Sequence, residues 1–263
     1  RGKSNMSKAF GIVNFAGNHI SVDGLKEFRP VGAFSFLGRY RVIDFPISNM
    51  SNSGIDNIEV YIRRKPRSLT EHLGTGRHYN INSERGKLHI LYTESNMVSD
   101  LYNTDIAAYI ENLDVIERVP YPYVVIAPSY MVYTQDYSEL LQTHIDSGAD
   151  ITLLYHSVDT AKEEFLNCYT LDINKQKGVD AIPLNRGNAK NKNIFMDTYV
   201  MKKDLFLDLV NKAHKMSGMY SLVDIVDEMC HELDIRAVAH RGYFAAISDF
   251  NSYYKSNMSL IDL

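Results

Sequence analysis

YVVIA, residues 123–127, is a continuous apolar run closed by Pro128 and Ser129. A half-covered strand alternates apolar and polar residues. One that is apolar throughout is buried on both faces, as parallel strands between two layers of helices are. Working outward, DYSELLQTHIDS (136–147) carries apolar residues at helical spacing, opens on a capping Asp136 and stops at Gly148. ITLLYH (151–156) then reads as another strand. The alternation continues in both directions. FGIVNF (10–15), IEVYI (58–62), IFMDTYVM (194–201) and IRAVA (235–239) read as strands. Residues 104–113, 205–214, 222–233 and 250–260 read as helices. This order predicts an α/β fold, a three-layer sandwich whose mixed, mainly parallel sheet lies between helices. NRGNAKNKN (185–193) reads as a mobile loop inside that domain.

Composition narrows the function classes. The chain has 263 residues, 45% hydrophobic and 23% charged, ordinary for a globular domain with a sizeable core. The net charge of -4 provides no basic field for nucleic acid. No apolar run reaches the ~18–20 residues of a membrane span. Cys168 and Cys230 form no CxxC pair, and reduced thiols in a cytoplasmic protein are expected. Residues 1–5 are polar and precede Met6, so they read as an expression remnant, with one domain over 6–263. The histidines, among them His72, His78 and His89, show no metal-ligand spacing, and surface or helix-face roles are expected for all. Tyr121 and Tyr123, around Pro122, are expected to shape the start of the 123–127 strand.

One stretch says more. RYRVIDFPISNMSNSGI (39–55) reads by itself as a helix with Pro46 near its start and a stop at Gly54. It also resembles the segment that follows the nucleotide loop in the ADP-glucose pyrophosphorylase (glucose-1-phosphate adenylyltransferase) family. Other pieces match in family order: Ser68, Leu69, His72 and Leu73; Glu111, Asn112 and Leu113; Gln135, Asp136, Tyr137, Ser138 and His144; Met196, Tyr199 and Val200; Tyr254, Lys255 and Asn257. The resemblance implies the nucleotide-diphospho-sugar transferase fold. Members continue into a left-handed β-helix of hexapeptide repeats. This sequence holds no such repeat, so the chain is expected to be the N-terminal domain alone.

The resemblance also implies a chemistry: in-line attack of a sugar phosphate on the α-phosphate of a nucleoside triphosphate. Backbone N–H groups, cations and Mg²⁺ on carboxylates stabilise the charge that develops. Position by position, those groups are replaced. Of the family's glycine-rich loop only Gly17 remains, followed by Asn18, His19 and Ile20. Arg29 survives as a residual phosphate-side candidate, but Val31 stands where the family has Lys. Ser129 and Ser248 stand at the two metal-binding aspartates, and Leu184 lies where a Glu-Lys-Pro would pair with the sugar phosphate. Thr104-Asp105-Ile106-Ala107 replaces the family's Gly-Thr-Ala-Asp. A neutral hydroxyl is a poor ligand for a hard dication. No metal or cofactor is therefore expected, and Mg²⁺ only if a neighbour such as Asp249 substitutes.

Basic residues persist elsewhere. Arg39 and Arg41 flank Tyr40, and Arg63, Arg64, Lys65 and Arg67 put four positive charges within five residues. They are candidates for an anionic effector site or a subunit contact, beside the plainer reading of a solvated loop. Within its family the chain therefore most resembles the non-catalytic subunit. The resemblance implies a heterotetramer with a catalytic paralogue, tuned by a phosphorylated metabolite, in glycogen synthesis. Two rivals stay open: a working nucleotidyltransferase with unusual ligands, and a free-standing metabolite sensor.

Overall fold

The structure is a computed structural model and describes residues 8–15, 35–36, 40–62, 87–92 and 104–247. In chain order it runs β1 (Ala9–Asn14), the short β2 (Ser35–Phe36) and β3 (Tyr40–Arg41), α1 (Asp44–Asn52), β4 (Asn57–Ile62) and β5 (Lys87–Tyr92). It continues with α2 (Asp105–Glu111), α3 (Leu113–Arg118), β6 (Tyr123–Pro128), β7 (Met131–Tyr133), α4 (Tyr137–Ser147) and β8 (Ile151–Val158). The small β9 (Asp172–Ile173) and β10 (Val179–Ala181) precede β11 (Lys192–Lys202), α5 (Lys203–Met216) and α6 (Leu222–Glu228). A 3-10 turn (Met229–His231), β12 (Ile235–Ala239) and β13 (Phe244–Ala246) follow.

Seven strands form one sheet in the order β12-β8-β11-β6-β1-β4-β5. β6, β1, β4 and β5 are parallel, and β12 is parallel to β8. Only β11 runs antiparallel to both its neighbours. The sheet is thus mixed and mainly parallel, as the strand–helix alternation predicts. The pleat explains why YVVIA is apolar throughout. Val125 and Ala127 face a core with Ile47, Met50 and Leu141 of α1 and α4. Val124 and Ile126 face a second core with Tyr109, Phe206 and Ile225 of α2, α5 and α6.

Local chemistry sets the boundaries. Asp136 accepts the Ser138 N–H at 2.9 Å as the N-cap of α4, and Gly148 ends that helix at φ 70°. Gly54, at φ 86°, lets the chain turn back so that the Ile55 N–H reaches the Met50 carbonyl. Gly11 marks where α1 meets β1: a Cβ there would lie 2.4 Å from the Met50 sulfur.

Three expectations need correction. Residues 222–233 do not form one helix; α6 ends at Glu228 and tightens into the 3-10 turn. The 185–193 stretch is pinned at both ends. Asn185 is 1% exposed and donates to the Ala161, Glu164 and Phe165 carbonyls, while Lys192 and Asn193 already belong to β11. A polar residue is at home there because three backbone carbonyls converge on its amide. Nor do all histidines take surface or helix-face roles. His144 does lie on a helix face, the inner one of α4, its Nδ1 2.7 Å from the Thr152 hydroxyl. His240, also buried, sits just past β12 with its Nδ1 3.0 Å from that of His156 on β8. Hydrogen bonding makes the burial of a neutral imidazole affordable. Cys168 and Cys230 are buried and form no disulfide. The helix expected over 250–260 lies outside the described residues.

Candidate functional site

Open α/β sheets bind ligands beyond the carboxyl ends of their strands, where the strand order reverses. Here that crevice lies at β1 and β6. β1 ends at Asn14, which pairs with Pro128 at the end of β6, and the Ser129 N–H donates to the Asn14 carbonyl at 2.8 Å. The next residue, Tyr130, accepts the Ile247 N–H at 2.9 Å, which brings the end of β13 to the same place.

Two carboxyl groups converge on it. Asp105, first residue of α2, accepts three hydrogen bonds: from Asn14 Nδ2 at 3.0 Å, its neighbour Ile106 N–H at 2.8 Å, and Leu222 N–H at 2.9 Å. Burial raises its pKa from the ordinary aspartate value, these bonds oppose the rise, and the charge of Asp224 adds to it. Asp197 sits in β11 where the register slips between Phe195 and Tyr199, at φ 48°. It is 8% exposed, and the Tyr130 hydroxyl donates to its Oδ2. Burial pushes its carboxyl up to about 7, against the Tyr130 bond and with a further push from Asp105.

Two acceptors of this cluster are left over. Asn14 Oδ1 and Asp197 Oδ1 are buried and have no hydrogen-bond partner. Burial raises the Tyr169 hydroxyl, and Asp224, Asp197, Asp105 and Asp227 raise it further. Tyr130 and Tyr199, buried beside Asp197, are raised well above the ordinary tyrosine value by burial first, so they stay protonated donors.

Of the positions singled out in the sequence, the structure brings Ser129 into this crevice, 6% exposed. Leu184 is half-buried, and its backbone bridges to Tyr169. Arg41 belongs to β3 by its backbone. Gly17, Arg29, Val31, Arg39, Arg63, Arg64, Lys65, Arg67, Ser248 and Asp249 lie outside the described residues. Sequence reasoning missed Asp197 and the role of Asp105. A lone Asp inside the apolar run IFMDTYVM was the available signal, because a carboxyl in a doubly buried strand needs a reason.

The Mg²⁺ that the family resemblance implies needs several carboxylate oxygens free to coordinate it. Asp105 spends its oxygens on three donors, the Tyr130 hydroxyl holds Asp197 Oδ2, and burial raises the pKa of both. Among the described residues no group of three or more His, Cys, Asp and Glu could hold a metal. The described side of the crevice does not fit a hard dication. A second cleft, about 590 Å³, opens near the start of β11. Two of its lining groups are already engaged: Ser157 Oγ donates to Asn193 Oδ1, and Asp180 accepts from Asn174 Nδ2.

The comparisons agree with this architecture. The glycogen biosynthesis protein GlgD of Geobacillus stearothermophilus is 28% identical over 230 residues, 87% of this chain and 57% of that protein. The glucose-1-phosphate adenylyltransferase of Fervidobacterium nodosum is 26% identical, covering 97% of this chain and 62% of its own length. That of Lachnospira eligens is 28% identical, covering 94% and 58%. The chain therefore spans 57–62% of these relatives. A solved structure from Bacillus anthracis, named for glucose-1-phosphate thymidylyltransferase and holding sucrose, has the same fold. Its TM-score is 0.75 at 12% identity, over 97% of this chain and 96% of that one. No helix among the described residues is long and apolar enough to cross a membrane. The family pattern for nucleotidyl transferases matches residues 25–262, nearly the whole sequence, and the chain belongs to that family.

Proposed function

We propose that this chain is a catalytically degenerate member of its family that assembles with a catalytic paralogue of the glucose-1-phosphate adenylyltransferase type and adjusts its output in glycogen biosynthesis. The observation that carries this reading is Ser129. It stands at the end of β6, where the resemblance calls for a metal-binding aspartate, and the carboxyls nearby are engaged in hydrogen bonds. Each lost charge contact in a phosphoryl-transfer site commonly costs a few kcal/mol of transition-state stabilisation, with ~1.4 kcal/mol per tenfold in rate. The relatives named for glycogen biosynthesis and for glucose-1-phosphate adenylyltransferase support the pathway. A subunit contact needs the surface of the fold and not its site. Arg39, Arg41, Arg63, Arg64, Lys65 and Arg67 remain the candidates for a phosphorylated effector or for the partner.

The alternative is a working enzyme. It is favoured by Asp105 and Asp197, two carboxyls in one crevice, which would have to exchange hydrogen bonds for a metal. Pyrophosphate release from ATP and glucose 1-phosphate with Mg²⁺ decides. The chain alone is expected to be silent and to change the rate or effector response of the catalytic paralogue when mixed with it. Mg²⁺-dependent turnover by the chain alone would make it an enzyme. Silence with no effect on the paralogue would leave the sensor reading.

A further inference from the structure

We propose that His156 and His240 form a proton-operated latch, which clamps β13 and the 160–167 turn to the sheet while one proton lies between the two rings and releases them when both rings are charged. The latch is independent of the regulatory reading above.

Hydrogen bonding fixes where the protons sit. His240 Nε2 lies 3.0 Å from the Thr134 carbonyl oxygen, which can only accept, so this nitrogen carries a proton. The neutral ring then has a bare Nδ1, 3.0 Å from His156 Nδ1. Two bare nitrogens that close would repel, so His156 supplies the hydrogen and its neutral tautomer is Nδ1–H. A first added proton is taken at His156 Nε2, and the contact keeps its single hydrogen. A second goes to His240 Nδ1. Two N–H groups and two positive charges then face each other, and the contact opens.

The pair ties together segments distant in sequence. His240 follows β12, its backbone N–H donates to the Tyr155 carbonyl at 2.7 Å, and its ring stands edge-on to Tyr133 of β7. The His156 ring lies 5.4 Å from that of Phe244 on β13, and Phe244 stacks on Phe165 with their planes 6° apart. Phe165 holds φ 57°, a left-handed conformation that a bulky residue keeps only where its surroundings hold it. β13 pairs with β7 and leads to Ile247, bonded to Tyr130. Opening the pair therefore loosens the turn before Cys168 and the strand that reaches the crevice.

Burial lowers both imidazoles from 6.5. The His240 backbone opposes the fall in His156; in His240 the Thr134 carbonyl opposes it and the charge of His156 deepens it. The unfolded chain takes these protons first, so the latch is closed above pH 6.5 and weakens as pH falls below it. Other titratable and charged groups face the pair from the elements around it. Tyr133 has its hydroxyl on Tyr137 and Thr198, Lys192 of β11 lies opposite Val158, and Glu164 accepts from Thr160. Arg241 is exposed, and His144 bonds Thr152 farther down the same face of β8.

The test is hydrogen exchange of the whole chain at pH 7.5 and pH 4.5, each corrected for the chemical exchange rate. In wild type, protection over 160–167 and 244–246 is expected to fall at least about fivefold at the lower pH, while that of α5 holds. His156→Phe keeps a ring against Phe244 but takes no proton, so the ratio between the two pH values should drop close to one. A wild-type ratio near one overturns the latch, as does a fall that α5 shares in full or a ratio that survives in His156→Phe. Ring-nitrogen NMR of wild type at pH 7.5 tests the protons without a variant. His240 should carry its proton on Nε2 and His156 on Nδ1; protons on Nε2 of both rings would leave the contact without a hydrogen and overturn the proposal.

Discussion

The carboxyl of Asp105 accepts the backbone N–H of Leu222 at 2.9 Å, joining the starts of α2 and α6 across 117 residues of sequence. The same carboxyl holds Asn14 at the end of β1. One side chain thus fixes two helices and a strand around the crevice. Asp105→Ala strands three donors at once. Each unsatisfied buried group costs about 1–3 kcal/mol, so a loss of roughly 3 kcal/mol or more in urea unfolding is expected. Faster amide exchange should concentrate at residues 222–225. Asp105→Asn keeps an acceptor and should recover part of the loss.

Glu59 makes a pH prediction with a definite sign. It lies fully buried in β4; Oε2 accepts from the Tyr61 hydroxyl at 3.2 Å and Oε1 has no partner. Burial pushes its carboxyl from 4.5 to about 7, against the Tyr61 bond. The folded state therefore holds this proton more tightly than the unfolded chain. The resulting stability is full below pH 4.5 and is lost as pH rises through 7, about 3 kcal/mol in all. Asp197, raised to about 7, acts in the same direction. Glu59→Gln should raise the urea midpoint at pH 8 and leave it nearly unchanged at pH 4.5. A variant that is destabilised equally at both would show that burial is not what sets this proton.

His144 works against these carboxyls. Burial lowers its pKa from 6.5 to about 4, with Asp150 opposing and Lys202 assisting the shift. The unfolded chain takes the proton first. Stability is then full above pH 6.5 and is lost as pH falls from 6.5 through 4, again about 3 kcal/mol. The NMR titration of the His144 ring should have its midpoint near 4. A midpoint near 6.5 would mean that the ring is open to water and not packed on Tyr123 and Thr152.

The fold was legible because its signals are local. Apolar runs two-sidedly buried, the Asp136 cap and the Gly148 stop each act within a few residues of themselves. What was missed depends on long-range contact. β5, KLHILY, has half-buried residues from Leu88 to Leu91, and its position at the sheet edge appears only in the register with β4. The crevice was half legible. Ser129 follows directly from the end of a readable strand. Asp105 reads from sequence as an ordinary first-turn acid, and only Leu222 and Asn14, distant in sequence, give it another role. Asn185 was misread for the same reason, since polarity near a glycine resembles a loop until its three carbonyl partners are known.

Asn185 carries the last prediction. Its Nδ2 donates to the carbonyls of Ala161, Glu164 and Phe165 at 2.9, 3.2 and 3.0 Å, and its Oδ1 accepts the Gly187 N–H at 3.0 Å. Its backbone also exchanges with the Cys168 segment, the Asn185 N–H donating to the Cys168 carbonyl at 2.7 Å. The side chain thus closes the 161–165 turn over the segment that carries Cys168. Asn185→Ala leaves three carbonyls without that donor, and a cost of about 2–3 kcal/mol is expected. Asn185→Asp should do at least as badly, because a carboxylate would face the same carbonyls as an acceptor. A structural role elsewhere would give the same global loss, so the second measurement is local. Cys168 is 1% exposed in wild type and should label slowly with a thiol reagent under native conditions. In Asn185→Ala it should label severalfold faster than Cys230, which lies in a different part of the fold and serves as the internal reference. Equal acceleration of both thiols would indicate global unfolding and would remove Asn185 as the clasp of that turn.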